Sequence, residues 1–523
     1  MVIKICSVIL LILSCNKNIA SVNHDSTSKK ASYYFSITGD DKNDGSLKYP
    51  FKTIDHLNTI HFNAGDSILL KAGEVFSGSI SIKTNGTAEM PVVLASYSNG
   101  EAIIDARNET AVSIYESSYI NINNIICKGA GRQDGNIKAG VSISNCSNVK
   151  VSNVDVSGFQ KSGLQLYNCK NTIIDKVHAH DNGAAGIGVE GDFNNKLGSH
   201  NINITNCKAV NNPGDPTNLT NHSGNGIIVG HSTNVIIDHC VATNNGWDMP
   251  RIGNGPVGIW CYEADSVIIQ HCLSYQNKTS IGGADGGGYD FDGGTTNSII
   301  QYCLSYNNQG SGYCIFQYWG ASPWYNNVMR FNISIDDGLV SDSRAGVYVW
   351  NSSKDPKQFY DCDFYNNTIY NSKQAALSFS ETSERKNFRF FNNIFIGADS
   401  LIRGNRGKNN DDIILANDWW SIDKKFNAGG MNDFTAWATT NNIEQMNSKI
   451  IGLNVLPHFK NAGDTTFTDV GHLNNFDSYK IIGTSAIKKA GIDLQDLYKM
   501  NIGNEDFNGQ PINKNCTGAC TNN

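Results

Sequence analysis

The stretch Gly288-Tyr289-Asp290-Phe291-Asp292-Gly293-Gly294 decides the fold. It alternates with a period of two, which is typical of a β-strand: Tyr289 and Phe291 point to one face, Asp290 and Asp292 to the other. Similar segments, each led by glycine and each apolar or aromatic at the first and third following positions, recur at residues 186–190, 226–230, 258–262, 312–316 and 346–350. We interpret them as one column of a stacked solenoid, whose variable second and fourth positions form an outer wall.

A second set of segments aligns into another column. Most are followed by a pair of Asn or Asp residues, which tolerate the left-handed conformation of tight turns and form side-chain ladders when stacked. A repeat of roughly 23 to 33 residues with two or three short strands is typical of a parallel β-helix. The spacing of a leucine-rich repeat and the four-strand period of a propeller are both missing. The segments lie at residues 149–156, 172–177, 202–210, 235–241, 267–273 and 299–304, with pairs at 181–182, 211–212, 244–245, 307–308 and 366–367.

The coils differ in length mainly at one corner, before the glycine-led strand. The longer segments are residues 213–224, 246–257, 278–287 and 335–345. Insertions that share a corner build a wall beside one face of a solenoid, and that face commonly binds a ligand. We therefore expect the wall to overhang Asp290 and Asp292.

The composition and the N-terminus limit the setting. With a net charge of −7 and no basic block, nucleic acid is excluded as an expected partner. The apolar run at residues 5–13 is too short to span a bilayer and predicts an export signal. The residues before Cys15 resemble the lipobox of bacterial lipoproteins, which implies a lipidated Cys15 and a protein exported to the membrane, cell surface or periplasm; an ordinary secretory signal is the alternative.

The 14 cysteines do not predict a disulfide framework. Five of them recur at a fixed place in the repeat, which indicates an interior ladder of small apolar thiols. Only Cys516 and Cys520 are spaced for a local bridge. The ladder residues are Cys207, Cys240, Cys272, Cys303 and Cys362, with Asn332 on the coil between the last two.

The N-terminal segment resembles that of a known superfamily. A strand at 33–37, an Asp/Gly turn at 39–45, Pro50-Phe51-Lys52-Thr53 and a strand at 65–73 follow the order of the N-terminal cap of pectate-lyase-like right-handed β-helix proteins. The resemblance implies an all-β, right-handed parallel β-helix with capped ends. The predicted divisions are a lipoprotein signal peptide (1–14), a flexible tether (15–32), an N-terminal cap (33–79), the β-helix (80–404) and a C-terminal cap region (405–523).

Paired carboxylates on the wall suggest acid–base chemistry. Asp290 and Asp292 have Cα atoms about 6.6 Å apart on one strand, so their carboxylates fall about 5 to 9 Å apart, the range that glycosidases use. Asp285, on a glycine-rich loop, is a third catalytic candidate. Crowding raises one pKa and separates a proton donor from an ionised partner. The alternative is that the pair caps the Gly293-Gly294 turn or binds Ca²⁺; no other cofactor is expected.

Aromatic side chains surround these acids and suit the faces of sugar rings. The candidate substrate-binding residues are Glu190, Trp260, Tyr262, Phe316, Tyr318, Tyr348, Trp350, Arg251, Lys278 and Arg344. We predict a monomeric glycoside hydrolase that acts on a polysaccharide. A polysaccharide lyase, drawing cations or bases from Arg251, Lys278, Arg344, His222 and His231, is the first alternative. A non-catalytic glycan-binding surface protein is the second.

Overall fold

The computed structural model describes residues 30–192, 198–340, 345–353, 355–380, 384–398, 400–404 and 411–521. Cys15 and the signal and tether before residue 30 lie outside them, as does Arg344. The chain forms a right-handed parallel β-helix, as predicted. Among the described residues, none of the helices combines the length and apolar character that crossing a membrane requires.

Twelve parallel strands of the described residues form one face of the solenoid, which we call the front sheet. In this sheet each strand pairs with the equivalent strand one coil away. The strands are Ile80–Ile82, Val112–Tyr115, Val141–Ser144, Leu164–Tyr167, Ala185–Glu190, Asn225–Gly230, Val257–Tyr262, Gly287–Phe291, Tyr313–Gln317, Ala345–Asn351, Ala375–Phe379 and Ile402–Gly404.

A continuous sheet, which we call the back sheet, forms the other sides of each coil and has 24 strands in the part of the chain that the structure describes. Its strands are Ser32–Phe35, Ser67–Lys71, Val75–Ser77, Val92–Tyr97, Ala102–Arg107, Ser118–Gly129, Ser147–Ser157, Lys170–His180, Ser199–Thr205, Lys208–Val210, Ser232–Asp238, Val241–Thr243, Asp265–Gln270, Leu273–Tyr275, Ile299–Gln301, Leu304–Tyr306, Trp324–Arg330, Ile333–Ile335, Phe359–Tyr365, Thr368–Tyr370, Lys386–Phe391, Ile394–Gly397, Ile413–Leu415 and Asp418–Ser421.

Few other elements are present in the described chain. The α-helices are Ile54–Leu57, Phe434–Thr440 and Leu494–Tyr498, and the 3₁₀ helices are Pro356–Gln358, Val470–Asn475 and Ala486–Lys489. Thr53 caps the first helix by accepting from the His56 N–H. Gln445–Met446 and Lys449–Ile450 form an antiparallel pair.

Two buried ladders of amide side chains fix the corners. In the first, Asn182, Asn212, Asn245, Asn277 and Asn308 each donate Nδ2 to the Oδ1 of the next residue, and Asn308 donates to Asp337. In the second, Asn332, Asn367, Asn393 and Asn417 are linked in the same way, and Asn417 donates to Glu444. Each ladder therefore ends on a buried carboxyl.

The cysteine ladder is confirmed for four residues and wrong for the fifth. The backbone N–H of Cys240 donates to the Cys272 thiol, and that of Cys303 donates to the Asn332 side chain. The backbone N–H of Asn332 donates to the Asn367 side chain, so the cysteine ladder continues into the second amide ladder. The pair 366–367 therefore belongs to the second amide ladder and not to the first. Cys362 pairs instead with Asn327 and Phe388 inside the back sheet. Coils of unequal length hid this change of register.

The chain beyond the last coil folds back along the solenoid. Trp437 of the helix Phe434–Thr440 joins the main core. The later segment packs its Phe476, Tyr479 and Phe507 on the outer side of the back sheet, against Leu304 and Ile333. Cys516 and Cys520 are both free thiols buried in this contact, so the predicted local bridge between them is wrong. Each thiol packs as a small apolar side chain in this cluster.

Candidate active site

The front sheet separates a core face from an outward face in strict alternation. On the strand Gly287–Phe291, Tyr289 and Phe291 join the main core. Asp290 points the other way and is in register with Trp260 on the preceding coil and Cys314 on the next. Trp260 belongs to a separate apolar cluster with Ile228 and Val257. The outward face therefore carries the candidate residues, as the pattern predicts.

A cavity of about 700 Å³ lies over this face. It has two carboxylate residues, Asp285 and Asp292, and six aromatic residues other than histidine that come from three front-sheet coils. Its lining is Asn221, His222, Asn254, Trp260, Tyr262, Ala284, Asp285, Asp292, Phe316, Tyr318, Tyr348 and Trp350. A cavity of this size with a few converging polar groups is typical of a small-molecule or oligosaccharide site.

The overhanging wall comes from the inserted corner. Asn254 Nδ2 donates to Asn221 Oδ1, on the preceding coil, at 3.0 Å. The Gly255 N–H donates to Asp285 Oδ2 at 2.6 Å, which ties the third insertion to the second. Asp285 has a φ of 59°, a left-handed conformation that Asp tolerates. These bonds hold the Asp285 carboxylate over the front sheet.

Asp292 is a carboxyl that stays protonated close to neutral pH. Burial raises the pKa of Asp292 to about 7, and the neighbouring Asp285 and Glu263 charges add to the effect. The hydrogen bond from the Gly293 N–H to Asp292 Oδ1, 2.7 Å long, acts in the opposite direction. Asp292 thus accepts from the turn that follows it, as the turn-capping alternative expected, and also lines the cavity.

Asp290 is placed differently from its partner. It is only 2% exposed and is not among the lining residues. Its Oδ1 atom is buried without a hydrogen-bond partner. Burial, followed by the charges of Asp292 and Asp285, raises the pKa of Asp290 well above its ordinary value. It therefore lies buried beneath the cavity, and a direct role in chemistry stays a prediction.

The other predicted residues divide into two groups. Trp260, Tyr262, Phe316, Tyr318, Tyr348 and Trp350 all line the cavity. Glu190 lies just outside it and accepts from the Tyr262 hydroxyl at 3.0 Å. Lys278 and Arg251 do not line it, and Arg251 is held by the Asn254 side chain. Arg344 falls outside the described residues.

Two histidines lie close to this site. His222 lines the cavity, contacts Trp260 edge-on with ring centroids 4.9 Å apart, and bonds Asn225 Nδ2 at 3.1 Å. Burial, with the Arg251 charge, lowers the pKa of His222 to about 4, so this imidazole is neutral at physiological pH. His231 is buried beside Glu190, with Nδ1 to Oε2 at 3.6 Å.

Asn221, Asn254 and Ala284 were not predicted from the sequence. They lie at equivalent places in three successive insertions, and the bonded Asn residues are separated by one coil length of 33 residues. That separation matches the repeat and is the signal that would have identified them. Neither amide belongs to a recognisable local motif.

Residues 33–337, more than half of the chain, match the protein family described as "Pel9A-like, right handed beta helix region". The chain belongs to this family. No curated protein sequence matches it. The match covers the N-terminal segment and the coils that carry Asp285, Asp290 and Asp292, and it confirms the resemblance to pectate-lyase-like β-helix proteins.

Several solved structures are similar to this chain at low identity. A GH136 lacto-N-biosidase from Eubacterium ramulus has a TM-score of 0.48 and 15% identity, covering 73% of this chain and 68% of that one. Pectate lyase Pel9A has a TM-score of 0.46 and 14% identity, covering 95% and 97%. An alginate lyase from Paenibacillus sp. str. FPU-7 has a TM-score of 0.38 and 15% identity, covering 67% and 97%. These likenesses concern the arrangement of coils and carry no argument about activity.

Proposed function

We propose that this protein is a glycoside hydrolase that acts on an oligosaccharide or polysaccharide bound over the front sheet. The observation that carries the proposal is the presence of two carboxyl groups, Asp292 with a raised pKa and the neighbouring Asp285, in a cavity lined by aromatic rings. Aromatic faces pack on the C–H faces of sugars. Two carboxyl groups with separated roles are what glycosidic bond hydrolysis requires.

Each acid has a defined role in this proposal. Protonated Asp292 donates its proton to the glycosidic oxygen as the bond from that oxygen to the anomeric carbon breaks. Asp285, held by the Gly255 N–H, either takes a proton from the attacking water or attacks the anomeric carbon directly. In the second case water later releases the sugar, and Asp292 takes back the water proton. Asp290 acts through Asp292 as a positioning residue.

A polysaccharide lyase is the second candidate, and family membership favours it, because the Pel9A after which the family is described is a pectate lyase. Such an enzyme removes the proton next to a uronate carboxylate and needs positive charge to stabilise the product anion. The neutral His222 imidazole is a candidate base. Lining residues in the described chain include no Lys or Arg, which favours hydrolysis of a neutral sugar.

The products distinguish the two reactions. The purified protein is incubated with neutral, uronic and sulfated polysaccharides, with and without Ca²⁺, and the products are followed by reducing ends, ultraviolet absorption and mass spectrometry. A hydrolase adds water and gives no absorbing product, whereas a lyase leaves an unsaturated, absorbing sugar. Binding without either product would support the glycan-binding alternative and overturn the proposal.

Variants test the assignment of the acids. Asp292→Asn and Asp285→Asn should each lower kcat/KM about 10² to 10⁴-fold, since each removes an acid–base or nucleophilic group. Asp105→Asn, on the back sheet, is the matched control and should retain activity. Full activity in both cavity variants would refute this site. The predicted lipid anchor at Cys15 is a separate proposal, tested by mass spectrometry of the mature N-terminus.

A further inference from the structure

A second group of titratable side chains lies on the outer side of the back sheet. His239 and His271 occupy the same corner of two successive coils, and their rings stack with centroids 4.9 Å apart. Both rings bond one carboxylate oxygen: Nδ1 of His239 and Nδ1 of His271 lie 2.8 and 2.9 Å from Asp238 Oδ1. Three potential ligand atoms of this group lie within 4.8 Å of one another.

The Asp238 contacts leave Nε2 as the second nitrogen of each ring. Both histidines line a cavity of about 160 Å³, which the C-terminal segment closes from the other side. That segment contributes Glu505, which is exposed and carries a carboxylate into the same lining. Asp506 also lines this cavity, but its oxygens accept from the N–H groups of Asn508, Gln510 and Thr521, so it serves the loop.

A histidine that binds a metal through one nitrogen usually donates the other N–H to a carboxylate, which fixes the tautomer and the ring orientation. Asp238 makes this arrangement for two histidines at once. Imidazole nitrogen with carboxylate oxygen is a donor set that suits Zn²⁺ and neighbouring divalent transition metals. We propose that His239, His271 and Glu505 bind a divalent transition-metal ion, Zn²⁺ in the test below, which joins the C-terminal segment to the back sheet.

The chain contains a similar cluster that differs in the decisive respect. His178 and His180 stack on one strand of the back sheet, and Asp155 lies beside them on the preceding coil. Here His180 uses both nitrogens, with Nε2 3.2 Å from Asp155 and Nδ1 2.6 Å from Asp181. Because both ring nitrogens of His180 contact carboxylates, this ring has no second nitrogen to offer a metal. It serves as an internal control.

The test measures metal binding, independently of activity. Purified full-length protein is stripped with EDTA, titrated with Zn²⁺ by calorimetry, and its retained metal counted by mass spectrometry. We expect the His239→Ala/His271→Ala variant to bind about one Zn²⁺ fewer than the wild type, and His178→Ala/His180→Ala to bind the same number. Asp238→Asn should weaken binding about 10 to 100-fold, since it removes the group that orients the ligands.

Glu505→Gln tests whether the C-terminal segment supplies a metal ligand or whether the two histidines bind the metal alone. We expect its Zn²⁺ affinity to fall at least tenfold and the rise in Tm with Zn²⁺ to be lost, while its Tm in EDTA equals that of the wild type. No Zn²⁺ binding by the wild type, equal binding by the His239/His271 variant, or loss confined to the His178/His180 variant would overturn the proposal. Unchanged Zn²⁺ affinity in Glu505→Gln would overturn the proposal that the metal joins the C-terminal segment to the back sheet.

Discussion

At the scale of single residues, two aspartates on one strand differ because of what covers them. Asp290 and Asp292 share the outward face, but only Asp292 reaches the cavity. Asp290 is buried and Asp292 is half-buried, and desolvation is the main cause of both raised pKa values. The strand alternation makes both side chains point outward. The overhanging wall leaves Asp292 at the cavity and Asp290 covered.

The first prediction concerns pH. A general acid works only in its protonated form, and the pKa of Asp292 is raised to about 7. We therefore expect kcat/KM of the wild type to fall tenfold per unit as pH rises above about 7. A profile measured from pH 4 to 9 checks this, and an alkaline limb that starts only above pH 9 would exclude Asp292 as the acid.

The second prediction compares Asp290→Asn with Asp292→Asn. Because burial raises the pKa of Asp290 well above its ordinary value, we expect asparagine to be a close substitute for it in charge and shape. We expect Asp290→Asn to keep activity within about tenfold, whereas loss of the general acid costs about 10² to 10⁴-fold. Steady-state kinetics and circular dichroism of both variants provide the measurement. If Asp290→Asn were as inactive as Asp292→Asn, Asp290 would take part in the chemistry.

The third prediction concerns the aromatic wall. Trp350 lines the cavity and contacts Phe316 with ring centroids 5.8 Å apart. Trp350→Ala should lower kcat/KM roughly tenfold to hundredfold, about 1.4 to 2.8 kcal/mol, mainly through KM, because it removes apolar surface from bound sugar. Trp319 is 80% exposed and does not line the cavity. Trp319→Ala is thus a matched control, and an equal loss in both would argue against sugar stacking.

At the scale of the coil, polar ladders are as important as apolar stacking. Each buried asparagine satisfies a backbone carbonyl and a neighbouring amide, which removes the cost of burying corner backbone in a dry core. Asn245, for example, donates to the Ala209 carbonyl and to Asn277 and accepts from the Asn212 side chain. A single substitution therefore leaves several buried groups without partners.

The fourth prediction follows from that network. Asn245→Ala should lower the free energy of unfolding by about 2 to 4 kcal/mol, because each stranded buried polar group costs about 1 to 3 kcal/mol. Urea denaturation measures the change. Lys170→Ala, at an exposed position on the same sheet, should change it by less than about 0.5 kcal/mol. Equal effects would show that the ladder contributes little to stability.

At the scale of the whole molecule, three buried carboxyls of the described chain that lie outside the candidate active site have raised pKa values. Asp337 and Glu444 end the two amide ladders, and Asp418 lies inside the last coil. Burial raises the pKa of Asp337 and Glu444 to about 7 and that of Asp418 to about 8. All three take up protons on folding at mildly acidic pH, as Asp292 does.

The fifth prediction is that stability falls as pH rises. A carboxyl whose folded pKa exceeds its unfolded value stabilises the fold fully below about pH 4, and this contribution is lost as pH rises through about 7 to 8. Urea midpoints should therefore be lower at pH 8 than at pH 5. Glu444→Gln, which keeps a neutral acceptor, should reduce that difference. A midpoint that rose between pH 5 and 8 would contradict the assignment.

The sequence by itself determined the β-helix and the direction of its side chains. Period-two alternation and Asn-rich corners are local properties, so the front sheet, the outward face of Asp290 and the shared corner of the insertions were predictable from segments such as 288–294. The sequence also identified six aromatic residues that line the cavity. These inferences needed only the repeat length and the alternation.

Only the tertiary structure decided which side chains are covered and which coils meet. It placed Asp292 and Asp285 at the cavity and Asp290 beneath it, because loops from three coils overlap there. It put Asn367 where Cys362 was expected, left Cys516 and Cys520 unpaired, and placed Glu505 in the same cavity lining as His239 and His271. Burial and long-range packing depend on the length of every coil in between, and a local sequence pattern does not contain that information.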